Sequence, residues 1–107
     1  LTNLTKLSLL GNPLNQENFD VSPLASLTNL TEIRLGDNQI SDVSPLAQLA
    51  SLRSLGIHSN QISDVSSLTS LTNLAELYLQ DNPVKTGFFG RDVHVKTLMS
   101  RGVNVMG

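Results

Sequence analysis

The sequence predicts an α/β solenoid: a right-handed coil with a parallel concave sheet, short 3₁₀ or irregular convex returns, and a C-terminal helix-strand cap. Three observations carry this. Apolar and asparagine positions recur every 22 residues, leucine fills 20 of the 107 positions while tryptophan is absent, and each repeat holds an L-x-L alternation followed by Asn. Many equivalent aliphatic slots filled mostly by one residue type are what a stack of like coils requires.

The repeat is clearest when residues 27–48 are aligned with 49–70 and with the segment from 71 onward. Asn38, Asn60 and Asn82 then coincide, as do Ile40, Ile62 and Val84, Val43 and Val65, and Leu46 and Leu68. The first coil fits the frame from Leu1 to Asn12, carries four extra residues between Leu14 and Asp20, and rejoins at Val21 and Leu24. Within a coil the pattern is L-x-x-L-x-x-L-x-L-x-x-N, seen in coil four as Leu71, Leu74, Leu77, Leu79 and Asn82. The closing L-x-L has the period of two expected of a short strand with one buried face. Stacked coils place such strands about 4.8 Å apart in a parallel sheet. No single coil covers its own leucines, so neighbours must.

At the end of each strand the chain turns into the core, and an asparagine amide there can both donate to and accept from open backbone groups. Asn12, Asn38, Asn60 and Asn82 are read as a structural ladder. On the return side, Ser22-Pro23 and Ser44-Pro45 place a hydroxyl to cap a helical turn just before a proline at its first position, and Ser66-Ser67 takes their place in coil three. About seven residues are left there, room for one turn of helix. Residues 1–85 are thus assigned to four repeats.

The stretch V-S-P-L-A-S-L-T-N-L-T-E-I-R-L-G-D-N-Q-I-S-D, from Val21 to Asp42, resembles the 22-residue leucine-rich repeat of the internalins and other bacterial surface proteins. The phosphatase-regulatory repeat proteins are similar in coil class. The resemblance covers about residues 1–85. It implies a protein-recognition role, a secreted or cell-surface location, and a piece of a larger bacterial protein. The absence of an initiator Met before Leu1 and of a signal segment agrees with further repeats or domains upstream. Gly56 departs from the pattern, standing at a strand position usually filled by a larger residue.

From Lys85 the repeat dissolves, and residues 86–107 are expected to cap the array. Gly87-Phe88-Phe89-Gly90 reads as a turn carrying two bulky groups, either plugs for the open end or a binding hot spot. Residues 91–100 suit a short helix with Val95, Leu98 and Met99 on one face. Arg101 suits the helix dipole, Gly102 a left-handed C-cap, and 103–105 a last edge strand.

Composition excludes several functions. There are no cysteines, hence no disulfides, thiolate metal sites or thiol nucleophiles. Net charge is −2 with seven scattered basic residues, which does not recommend nucleic acid. The balance is uneven: residues 1–82 carry three basic and eight acidic side chains, and residues 83–107 carry four basic and one acidic. No apolar run reaches the roughly 18 residues of a membrane span. His58 and His94 have no carboxylate at triad or metal spacing and read as surface residues, and G-F-F-G lacks the third glycine and lysine of a phosphate loop. Asp20, Asp42 and Asp64 stack in one column about 5 Å apart, where like charges cost just under 1 kcal/mol in water. Turn amides and solvent satisfy them more economically than a metal ion. Two N-x-T sequons, at Asn3 and Asn29, fall inside the repeat pattern. No cofactor and no enzymatic activity are expected.

What remains is the sheet surface. The residues alternating with the buried L-x-L are Lys6, Ser8 and Leu10; Glu32, Arg34 and Gly36; Ser54, Gly56 and His58; Glu76, Tyr78 and Gln80. The repeat does not dictate these positions, so specificity can be written there. The candidate partner-binding set is Glu32, Arg34, Arg53, Ser54, His58, Glu76, Tyr78 and Gln80; Tyr and Arg are the types enriched at interface hot spots. The expected function is recognition of a protein partner on the concave face. An intracellular regulatory subunit docking on an enzyme, or a spacer in a larger surface protein, are the alternatives.

Overall fold

The structure, a computed structural model, describes residues 3–9, 21–87 and 90–107. Leu10, Asn12, Asp20, Phe88 and Phe89, and the four-residue insertion of the first coil, lie outside the described residues. Five three-residue strands form one parallel sheet in chain order: β1 (Lys6–Ser8), β2 (Glu32–Arg34), β3 (Ser54–Gly56), β4 (Glu76–Tyr78) and β5 (Asn104–Met106). The first four strands are linked by 3₁₀ returns, η1 (Ser22–Ser26), η2 (Ser44–Gln48) and η3 (Ser66–Ser70), and helix α1 (Val93–Ser100) leads to β5. The molecule is a leucine-rich repeat solenoid with a C-terminal helix.

Across β2, β3 and β4 the 22-residue period becomes the sheet register, and β1 and β5 join the same rows at spacings of 26 and 28 residues. Leu7, Ile33, Leu55, Leu77 and Val105 pair across the strands in one row that faces the core. Leu30 and Leu52, Leu35 and Ile57, Ile40 and Ile62, and Leu46 and Leu68 repeat the arrangement, each wholly buried between like residues of adjacent coils. Burial of each such side chain is worth about 1.5–3 kcal/mol relative to exposure. At the N-terminal end Leu4, Leu7 and Leu24 of the first coil and Leu27, which opens the second, are only partly buried and Leu9 is exposed, since a flat coil gains its cover from neighbours. At the other end Val95 and Leu98 of α1 are fully buried, and α1 packs on η3 and β5.

β2, β3 and β4 are each followed by a tight turn in which Asp37, Ser59 and Asp81 hold the same left-handed backbone (φ 64°, 56° and 58°) one period apart. The asparagine that follows binds the turn to its neighbour. Asn60 Nδ2 donates to the carbonyls of Leu35, Ile57 and His58, and its Oδ1 accepts from the amides of Asn38 and Ile40, both at 2.9 Å. Asn82 repeats this one coil on, donating to Ile57, Leu79 and Gln80 and accepting from Ile62. Asn38 donates to the carbonyls of Leu9, Leu35 and Gly36. These side chains replace strand pairing where the backbone leaves the sheet.

Three expectations change in detail. The capping position of each return is a valine (Val21, Val43, Val65), with no side-chain cap bond, and the serine is the first helical residue. The turn is secured from two residues upstream: the Asp42 and Asp64 carboxylates accept from the amides of Ser44 and Ser66, each at 2.9 Å. The helix starts at Val93, because Asp92 takes the N-cap and accepts from the amides of His94 and Val95. Met99 does not join Val95 and Leu98 inside; it is 38% exposed, since a helix this short turns only a narrow stripe toward the core. The helix ends as its glycine requires. Gly102 has φ +91°, its amide bonds to Met99 and that of Val103 to Leu98, the paired bonds of a Schellman cap. The Arg101 guanidinium donates to the Thr69 carbonyl, fastening the helix end to η3.

Candidate partner-binding face

Alternation along the short strands sends two rows of side chains to the surface opposite the leucines. Lys6, Glu32, Ser54, Glu76 and Asn104 form one row, and Ser8, Arg34, Gly56, Tyr78 and Met106 the next. Gly36, His58 and Gln80 extend the surface beyond the strand ends, where the backbone ladder continues from Asp37 N to His58 O and from Ser59 N to Gln80 O.

Two glycines shape this surface. Gly56 lies between Arg34 and Tyr78 in their row, and the Arg34 stem runs across it: a Cβ at Gly56 would stand 2.9 Å from Arg34 Cδ. The guanidinium thereby reaches the Tyr78 ring, with Cζ 5.2 Å from the centroid, within cation–π range. Arg34 Nη1 also donates to Ser54 Oγ (2.9 Å) and to the Ile33 carbonyl (3.2 Å), while Nη2 lies 3.8 Å from Glu32 Oε1. One coil away the lean reverses. His58 folds back over Gly36, where any Cβ would overlap the imidazole. Between these opposed side chains opens a concavity of about 350 Å³ lined by Arg34, Gly56, His58, Tyr78 and Gln80.

The structure therefore gathers four of the eight candidate residues, Arg34, His58, Tyr78 and Gln80, around one depression. Ser54 is placed otherwise than expected: it is buried, and its hydroxyl supports Arg34 from below. Glu32 stands beside the guanidinium, Glu76 lies exposed in the other row, and Arg53 is exposed one residue ahead of β3; none of the three lines the concavity. Gly36 and Gly56, which repeat logic treats as blanks, prove to be shaping positions. Their signal in the sequence was the large side chain one coil away in the same column, Arg34 for Gly56 and His58 for Gly36.

No group of three potential metal ligands occurs among the described residues, and no described helix is long and apolar enough to cross a membrane.

Comparison with known proteins agrees with this architecture. The family model described as Leucine Rich repeats (2 copies) matches residues 50–86. No curated protein matches the sequence at a significant level. Among solved structures, an internalin (inlF) from Listeria monocytogenes aligns with a TM-score of 0.79 and 36% identity, over 99% of this chain and 28% of that one. Internalin C2 (inlC2) from the same species aligns with a TM-score of 0.72 and 40% identity, over 99% of this chain and 41% of that one. A leucine-rich repeat protein of Leptospira interrogans shares the fold at a TM-score of 0.72 and 22% identity, over 99% of this chain and 25% of that one. The chain is a leucine-rich repeat protein with internalin-like repeats, and it spans less than half the length of either internalin. Arrays of this kind are typically non-enzymatic scaffolds for protein–protein interaction.

Proposed function

We propose that this segment is a recognition module that holds a protein partner on its concave sheet face, within a longer bacterial protein. The observation that carries the reading is the Arg34–Tyr78 pair with its neighbours His58 and Gln80. Four large polar or aromatic side chains that the repeat does not require converge on one depression of an otherwise regular surface. Arginine and tyrosine dominate interface energetics because they combine large contact area with hydrogen bonding. The convex side offers less: its returns are short 3₁₀ turns with exposed serines and Gln48.

The test begins with a pull-down from the partner source using the 107-residue chain or the full-length protein, followed by affinity measurement. Tyr78→Ala and Arg34→Ala each weaken binding by about 2 kcal/mol or more if they are hot spots. Gln48→Ala on η2 changes neither affinity nor melting temperature. A convex variant that impairs binding while the concave pair does not would place the partner on the other face. Absence of any partner for the full-length protein would leave a structural spacer.

A further inference from the structure

We propose that the depression over Gly56 is a receptor for a single carboxylate side chain, an Asp or Glu presented by the partner. This rests on the concave-face reading above and adds to it the chemistry of one anchor.

The lining is one-sided. Arg34, His58, Tyr78 and Gln80 can each donate a hydrogen bond, and among the described residues no acidic one lines the space. Arg34 is a cation that needs little further ordering. Its stem rests on Gly56, its Nη1 is held by Ser54 Oγ and the Ile33 carbonyl, and its plane lies near the Tyr78 ring. The rotamer entropy that a free surface arginine would lose on binding is therefore largely lost already. A guanidinium bordering an open space is the side chain best matched to a carboxylate, and charge-assisted bonds of this type are about twice as strong as neutral ones. The volume, about 350 Å³, is at the small end for a ligand cleft and admits one side chain with its adjoining backbone.

Glu32 gives the proposal a second handle. Its Oε1 stands 3.8 Å from Arg34 Nη2 at the rim and is itself partly exposed, so it already offers the arginine a weak internal carboxylate. An incoming carboxylate competes with it. Neutralising Glu32 should tighten the site, the opposite of what loss of a merely structural ion pair would do.

The test is a nuclear magnetic resonance titration of the ¹⁵N-labelled chain with three blocked amino acids: N-acetyl-glutamate N-methylamide and its glutamine and leucine counterparts. The glutamate probe should shift the Gly56 and His58 amides and saturate in the millimolar range, with the other two at least tenfold weaker. Arg34→Met keeps an apolar stem over Gly56 and removes the charge; it should weaken the glutamate probe at least tenfold while the remaining spectrum stays folded. Glu32→Gln should tighten it severalfold. Equal or tighter binding of glutamine or leucine, indifference to Arg34→Met, weakening by Glu32→Gln, or no saturable shift with any probe would each overturn the proposal. Such a failure discards the carboxylate assignment alone; the concave face stands or falls on the affinity comparison of Tyr78→Ala with Gln48→Ala.

Discussion

Arg34 and Tyr78 stand two coils apart in one row of the sheet, and the guanidinium carbon of one comes within 5.2 Å of the ring centroid of the other because the residue between them is Gly56. Strands in a sheet lie about 4.8 Å apart, so only an unobstructed long side chain spans two of them. The pair should be energetically coupled. A double-mutant cycle with Arg34→Met and Tyr78→Leu is expected to give a coupling of about 0.5–1 kcal/mol by denaturant unfolding. Gly56→Ala should lower this coupling, since its new methyl lifts the Arg34 stem. Coupling that is zero in wild type would mean that the two side chains are neighbours without mutual stabilisation.

The asparagine ladder should show graded costs. Asn60 is buried and its Oδ1 satisfies two amides, those of Asn38 and Ile40, whereas Asn82 Oδ1 bonds to the Ile62 amide and its side chain is more accessible. An unpaired buried amide or carbonyl costs about 1–3 kcal/mol. Asn60→Ala is therefore expected to lose about 3 kcal/mol or more, and Asn82→Ala less. Urea unfolding of the two variants checks the order, and equal losses would show that water replaces the lost bonds in both coils.

Much of this was legible in the sequence, for a physical reason. A strict 22-residue period allows one register, because a one-residue slip would turn every leucine of a strand to the surface. The strands of the repeats, their core rows and the asparagine positions follow from that, while the left-handed cap at Gly102 was legible from a glycine at a helix end. Side-chain lean was not legible. Arg34 crossing Gly56, His58 folding over Gly36 and Ser54 disappearing beneath a guanidinium depend on rotamers chosen between coils, which periodicity does not encode. The returns misled for a related reason. Ser-Pro is a helix-start signal in general, but in turns this tight the carboxylate two residues earlier reaches the serine amide.

The helix end supplies a backbone test. Gly102 holds φ +91° while its amide and that of Val103 close the cap onto Met99 and Leu98. Any side chain there is strained, so Gly102→Ala should destabilise by about 1–2 kcal/mol. Gly87→Ala is the control, with no positive φ and nothing within 4 Å of the added methyl. Thermal melts should separate the two, and a neutral Gly102→Ala would mean that the cap yields without cost to α1 and β5.

Asp64 should make part of the stability dependent on pH. Its carboxylate accepts from the Ser66 amide at 2.9 Å, and this bond is the main cause holding its pKa below the ordinary 3.8, followed by the Ser66 hydroxyl and the charge of His94. A carboxylate whose pKa is lower folded than unfolded stabilises the folded state while it is ionised. The contribution is therefore fully present above the unfolded value of 3.8 and is lost as pH falls through the lower folded value. Asp64→Asn keeps the shape and an acceptor oxygen but removes the charge. The stability gap between wild type and this variant should narrow progressively once pH drops below 3.8. Because the group is exposed, salt should also shrink the share that comes from His94 while sparing the share that comes from the Ser66 amide. Unfolding curves across the acid range, at low and high salt, read both effects. A gap that widens as pH falls below 3.8 would reverse the sign and show that the ionised carboxylate destabilises the turn.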